Sequence, residues 1–327
     1  MKHSALKYFL LLILGFALSS CSSVRMRGQA PGADSGQTRA SLEYLDPESV
    51  NSKWRGWDYL VEKLRDDGIS EKLLSDVYRD SRIPLKERIP FKLAPVESRA
   101  IYKQFTEKDQ IEQARSFMSN YRDALAAAAK RFKVSPALIT AILMIESRFG
   151  NVTGEHLVVY RLSRVASAPE DRNVQWNYER LSKETPNISL KALKKRAEYL
   201  DKTFYPEIRI LLQMAERDGL DVFGLKGSIS GAFGLPQFLP SSFEKYAVDG
   251  DGDGEISVFK LEDAIFSVAN YFSESGWRDG LSQSRKHDVV LKYNKSKAYA
   301  EAVLKIAGEL EADAKKIVAE KGRRQSW

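Results

Sequence analysis

The chain has 327 residues, 43% hydrophobic and 29% charged, which is ordinary globular composition for one large body or two domains. Its formal charge of +7 falls to +5 once Lys2 and Lys7 leave with an N-terminal leader, and the excess is spread along the chain with no nucleic-acid module. Three histidines (His3, His156, His287) and one cysteine (Cys21) exclude a His/Cys zinc set, an internal disulfide and Cys–His catalysis, and leave carboxylates, hydroxyls and amides as the candidates for chemistry.

Residues 1–20 carry Lys2, His3 and Lys7 and then an apolar core from Tyr8 to Leu18, too short to span a bilayer but suited to a secretory signal. The core ends in Leu18-Ser19-Ser20-Cys21, which resembles the lipobox of bacterial lipoproteins; a plain signal peptide with an incidental cysteine is the alternative. The resemblance implies cleavage before Cys21, lipidation of that residue and stable membrane anchoring, and Ser22 in the next position implies the outer membrane. Residues 21–52 are small and polar and read as a flexible tether, with the folded region expected over residues 53–327.

From Trp54 onward the chain reads as mainly α. Apolar spacing of 3.6 residues predicts helices over Trp57–Arg65 and Glu71–Tyr78, a Pro-punctuated connector over Ile83–Pro95, and a long helix over Gln110–Lys133. Further helices are predicted over Leu190–Gln213 and Leu261–Phe272, and an amphipathic one over Ser296–Lys321 with Val303, Ile306, Leu310, Ala314 and Ile317 on one face.

The segment Ser135 to Gly150 is unlike the others. Ser135 is suited to an N-cap, Pro136 to the first helical position, and Gly150 to the left-handed residue that closes a helix. Between them the apolar residues surround the whole circumference, so the helix is expected to be buried. Glu146 lies in its last turn, where desolvation and the negative end of the helix dipole both favour the protonated carboxyl that a general acid needs. The competing reading is a buried Glu tied to Arg148 or another cation.

Two loops follow. Gly227 to Phe243 holds three glycines, two prolines, aromatics and the single amide Gln237; it could let backbone approach a sugar while Phe238 and Gln237 stack and hydrogen-bond, or it could be a structural turn. Ser241 to Glu244 has the form of a capping box opening another helix. Asp249-Gly250-Asp251-Gly252-Asp253-Gly254-Glu255-Ile256 begins like an EF-hand loop, with Ile256 in the apolar position, but Lys260 stands where the closing Glu should be. Either the loop is dead, a solvated acidic turn, or Glu262 or Asp263 closes it around a cation.

Taken in order, Ile145-Glu146-Ser147-Arg148-Phe149-Gly150, Leu225–Ser228 with Gln237–Ser242, the aspartate loop, Val268–Phe272 and Tyr293-Asn294-Lys295-Ser296 resemble the membrane-bound lytic murein transglycosylase B family over roughly residues 100–310. The resemblance implies a lysozyme-like helical core that cleaves the β-1,4 bond between N-acetylmuramic acid and N-acetylglucosamine in peptidoglycan, leaving 1,6-anhydromuramoyl ends. It implies Glu146 as acid and then base, Ser228 and Gln237 hydrogen-bonding near the acid and the substrate, and Phe238, Tyr271, Asn294, Tyr299 and Tyr102 lining the cleft. It also implies Asp249, Asp251, Asp253, the Glu255 carbonyl and Asp263 around a structural calcium or sodium ion, with no cofactor needed for chemistry. A monomer that takes no nucleic acid is expected, on the periplasmic face of the outer membrane. A hydrolytic muramidase and a non-catalytic peptidoglycan-binding lipoprotein are the alternatives; a calcium sensor fits poorly, since there is one loop and no partner EF-hand. The chain is longer than the family pattern over residues 167–194 and shorter over residues 277–293, which leaves the sugar subsites and the role of Lys195-Arg196 open.

Overall fold

The computed structural model describes residue 44 and residues 46–93, 99–185, 187–278 and 280–324, with side chains described as far as Asp313. The leader, Cys21 and the tether up to residue 43 lie outside the described residues, as do the side chains of Ala314 and Ile317. The described chain is mainly α, as expected, and strand is confined there to the dipeptides His156–Leu157 and Lys226–Gly227. No helix among the described residues is long and apolar enough to cross a membrane. The contacts divide the chain into two compact units.

The first unit draws its described residues from 99–155 and 226–324. Its centre is the Pro136–Ser147 helix, in which every side chain from Ala137 to Ser147 is buried. Ser135 caps it as expected, its Oγ accepting from the Leu138 N–H at 3.2 Å, and Pro136 takes the first turn. A helix apolar on all sides needs neighbours on all sides. The helices Lys108–Asn120, Arg122–Phe132, Leu261–Glu274 and Lys297–Arg324 supply them, the last through Val303, Ile306 and Leu310, all buried. The single helix expected over Gln110–Lys133 is instead two: Tyr121 leaves helical geometry at φ −111°, ψ 27°, and Lys133 ends the second in the left-handed region. Nothing in the composition around Tyr121 marks that break, since no Gly or Pro is there. The capping box expected at Ser241 gives way to a start two residues earlier, with Pro240 in the first turn and Leu239 at the cap position without a side-chain cap bond.

The second unit draws its described residues from 44–93 and 156–225. The folded part begins before Lys53: Pro47–Val50 forms a 3-10 turn under an Asp46 cap, and Ser49 is fully buried with its Oγ donating to the Lys86 carbonyl. Asp58–Asp66 and Glu71–Tyr78 match the expected helices to within a residue. Leu190–Asp218 extends past the expected end to a left-handed Gly219 and packs against Val158–Ala166 and Asp171–Glu184, two helices not expected from the sequence. Asp171–Glu184 accounts for half of the long 167–194 segment. Trp57 anchors this core, with its indole N–H on the Pro84 carbonyl at 3.0 Å and its ring 5.9 Å from Tyr78.

Candidate active site around Glu146

The acid-bearing helix stops earlier than its sequence suggests, and the way it stops places Glu146. Gly150 is left-handed as expected, but so are the two residues before it: Arg148, Phe149 and Gly150 have φ of 51°, 60° and 89°. The turn is held by the Arg148 and Phe149 N–H groups on the carbonyls of Met144 and Leu143, and by Gly150 N–H on Ser147 Oγ at 2.9 Å. Ser147 therefore serves the turn rather than a ligand. A Cβ at Gly150 would press on the Leu235 side chain at 3.1 Å, in a backbone region that penalises any side chain.

Glu146 is 4% exposed and makes one hydrogen bond, accepted from the Tyr299 hydroxyl at 2.5 Å. Burial pushes its carboxyl up to about 8; the Tyr299 bond opposes that shift without cancelling it. No ion pair reaches Glu146 among the described residues, and no second carboxylate contributes to its shift. The alternative of a Glu tied to Arg148 is thus not what the chain adopts: Arg148 donates to Gln104 Oε1 at 3.1 Å and lies over the Phe105 ring.

The aromatic residues expected in the cleft form one connected cluster beside the acid. Tyr102 meets Tyr299 edge-on at 5.9 Å; Tyr299 lies parallel to Tyr293 at 6.4 Å; Tyr293 contacts Tyr271 at 4.7 Å and Phe238 at 6.1 Å. All five are buried or nearly so, which corrects the expectation that Phe238 offers an open face. At 2% exposure Phe238 is a wall of the cluster, held by Phe233 N–H and C=O on either side of its own peptide. The Tyr271 hydroxyl is committed to the Lys292 carbonyl at 2.8 Å. Tyr293, absent from the expected site residues, donates to the Pro236 carbonyl and so ties the cluster to the glycine-rich loop.

That loop is shaped by its own backbone. Gly234 is left-handed at φ 73°, and a Cβ there would strike Val258 at 2.5 Å. Gln237, also left-handed at φ 51°, donates both amide hydrogens to carbonyls, of Thr153 at 3.0 Å and Gly234 at 2.8 Å, so it can meet a ligand only through its oxygen. Ser228 Oγ accepts from Ala232 N–H at 3.1 Å and makes no bond to Glu146. Asn294 differs: its Oδ1 accepts from Ser296 N–H at 3.1 Å, while its Nδ2 is buried without a partner. A buried donor without a protein partner is open to a water or to a ligand acceptor. Its turn also starts the Lys297–Arg324 helix, since Ser296 Oγ accepts from Tyr299 N–H at 3.1 Å, so Asn294 and Tyr299 are placed by the same three residues.

In the aspartate loop the side-chain oxygens of Asp249, Asp251 and Asp263 lie within 4.8 Å of one another, a donor set of hard oxygens that fits a calcium-like cation. Asp263 is fully buried and closes the loop, accepting from Gly250 N–H at 2.8 Å and Ser257 N–H at 2.7 Å. Asp253 stands outside this group, its carboxylate taken by Lys260, the residue that looked anomalous in sequence. Glu255 N–H donates to Asp253 Oδ1 at 2.9 Å, and Ile256 is 48% exposed instead of packed in the apolar position.

The chain is similar to known proteins. The chain is 36% identical over 178 residues to the membrane-bound lytic murein transglycosylase B of Escherichia coli (strain K12), covering 54% of this chain and 42% of that relative. It therefore spans about two fifths of the length of the curated relative it matches. The soluble lytic transglycosylase SltB1 of Pseudomonas aeruginosa superposes with a TM-score of 0.57 at 25% identity, over 80% of this chain and 99% of that one. An Escherichia coli lytic transglycosylase in complex with calcium superposes with a TM-score of 0.54 at 22% identity, over 84% and 98% of the two chains. The model of the transglycosylase SLT domain matches residues 53–286, and the chain belongs to that family.

Proposed function

We propose that this chain is a peptidoglycan lytic transglycosylase in which Glu146 works alone, first as acid and then as base. The observation that carries the reading is the environment of Glu146: a buried carboxyl pushed up to about 8, with one tyrosine hydroxyl as its partner and no second carboxylate acting on it. Such a group holds a proton at neutral pH. It gives that proton to the oxygen between C1 of N-acetylmuramic acid and C4 of N-acetylglucosamine, the C1–O bond breaks, and the N-acetylglucosamine side leaves as an alcohol. The carboxylate then takes the proton of the muramoyl C6 hydroxyl while O6 bonds to C1. This closes the 1,6-anhydro ring and regenerates the acid without water. Ordinary glycosidases need a second carboxylate as nucleophile or base, and this route does not.

Tyr299 keeps the Glu146 carboxyl in one orientation, and the orphaned Asn294 amide and the Gln237 oxygen are the polar groups we assign to the sugar. Phe238, Tyr271 and Tyr102 support Tyr293 and Tyr299 from behind, and Ser228 holds the loop closed. Mass spectrometry of muropeptides released from murein sacculi tests the reading. It expects 1,6-anhydromuramoyl ends and no new reducing ends; reducing ends alone would make the protein a hydrolytic muramidase, and binding without release would make it a non-catalytic module.

We further propose that Asp249, Asp251 and Asp263 hold a structural calcium ion, which would brace the segment between the glycine-rich loop and the Leu261–Glu274 helix. The membrane-bound name of the curated relative and the Leu18–Cys21 sequence support a lipid anchor at Cys21 on the periplasmic face of the outer membrane. Replacing Cys21 by Ala should move the protein from the membrane to the soluble fraction; a Cys21→Ala protein that still sediments with membranes would rule the anchor out.

A further inference from the structure

A hollow of about 460 Å³ opens next to the turn that ends the acid-bearing helix. This size is within the range of small-ligand sites, about 300–1,000 Å³. Its floor is aromatic. Phe149 lies flat on Phe117, centroids 4.2 Å apart and planes 13° from parallel, and Phe117 is 4.9 Å from Tyr121. Phe117 is buried between them, Phe149 is half-buried and Tyr121 is 37% exposed, so two rings of the three reach solvent.

The backbone is committed to this arrangement. Phe149 sits at φ 60°, a region that bulky residues seldom enter, three residues after Glu146. Tyr121 is the residue at which the Lys108–Asn120 and Arg122–Phe132 helices part, which turns its ring out beside Phe117. The rim comes from one face of the Lys108–Asn120 helix: Asp109, Glu112, Gln113 and Asn120 recur at helical spacing and all are exposed. Neither the fold nor the Glu146 site uses these groups; only Glu112 has an ion partner, Arg115 at 2.8 Å.

Aromatic faces bordered by amides and carboxylates suit a sugar ring, whose C–H face stacks while its hydroxyl and acetamido groups find donors and acceptors. With Asp109 on the rim, Glu112 already paired to Arg115 and no cation in its lining, the hollow disfavours the acidic stem peptide of peptidoglycan and leaves the uncharged saccharide as the occupant. We propose that this hollow is a further sugar-binding platform, taking an N-acetylhexosamine residue of a glycan strand at a point separate from the Glu146 cluster. The proposal rests on the peptidoglycan reading above and extends it.

The test uses the full chain carrying Glu146→Gln, titrated calorimetrically with tetra-N-acetylchitotetraose. Tyr121→Ala should weaken binding about 5- to 10-fold, as loss of one stacking ring does, and Tyr121→Phe should restore most of it. Gln113→Ala, on the exposed rim where folding is not at stake, should weaken it about threefold. Affinities unchanged in both alanine variants, or no binding of the oligosaccharide at all, would overturn the platform. Release of anhydromuropeptides from sacculi by the unmutated protein is scored separately, so the platform can fall while the function stands, and a failure of both would remove the function as well.

Discussion

Two sets of carboxylates in the same unit stand in opposite surroundings. Glu146 lies inside a ring of apolar side chains with one neutral hydroxyl as partner, and its carboxyl is pushed up to about 8 by burial. Asp249 lies in a polar loop where the Gly254 and Gly252 N–H groups donate to it and hold its carboxyl below the usual range; the Lys260 ammonium and Glu255 N–H do the same for Asp253. The chemical group is the same, and the number of donors around it decides the outcome. One environment makes a proton donor, the other keeps Asp249 and Asp253 as carboxylates, while Asp251, although it accepts the Asp253 N–H, is pushed up by burial and by the neighbouring Asp253 and Asp263 charges. The comparison also separates what each region can do: a dry carboxyl can exchange a proton with a bound sugar, while a carboxylate fixed by backbone donors can only be a ligand or a strut.

The sharpest way to break this contrast is to remove the acid. Glu146→Gln should lower muropeptide release by roughly a thousandfold, the range for a general acid, and near-normal release would end the assignment. A second break acts on stability. The folded carboxyl sits above its ordinary value of 4.5, so the folded state binds the extra proton. Its contribution is fully present below pH 4.5 and is lost as pH rises toward 8, at up to about 1.4 kcal/mol per pH unit. Urea denaturation across that window should therefore show the unmutated chain losing stability relative to Glu146→Gln; parallel curves would mean that Glu146 is already ionised in the fold.

Smaller effects sharpen the contrast. Tyr299→Phe removes the one bond that favours the carboxylate, so the acid should become weaker still and the alkaline limb of the pH–rate profile should move up, with about a tenfold loss of rate. A downward move would show that Tyr299 favours the neutral acid instead. At the aspartate loop, calcium added after chelation should raise the melting temperature by a few degrees, with Asp251→Asn reducing the gain more than Asp253→Asn. Equal losses would place Asp253 among the ligands despite its pairing with Lys260.

The buried helix and its acid were legible in the sequence because their signals are local: Ser135 and Pro136 announce the start, and an apolar circumference announces burial. The helix ends two residues before the position that Gly150 marks, since only Gly150 advertises a left-handed backbone while Arg148 and Phe149 are held there by tertiary contacts. The same limit explains Tyr121, which breaks a helix with no breaker residue. Tyr293 escaped for a different reason. It was noticed in its motif, but nothing local says that its ring lies between Tyr271 and Tyr299 or that its hydroxyl holds the Pro236 loop. Phe238 was placed in the right cluster with the wrong exposure, because one sequence cannot tell an aromatic that lines a cleft from one that backs it. The family resemblance singled out Asp263, which hydrogen-bonds across the loop, whereas the capture of Asp253 by Lys260 is a long-side-chain contact that spacing does not specify.

The role proposed for Glu146 requires its carboxyl to carry a proton at neutral pH. A carbon-13 NMR titration of the side-chain carboxyl, assigned by its loss in Glu146→Gln, measures this directly. The midpoint is expected near 8 and higher still in Tyr299→Phe; a midpoint at the ordinary 4.5 would mean that Glu146 is ionised at neutral pH and would remove its role as the acid.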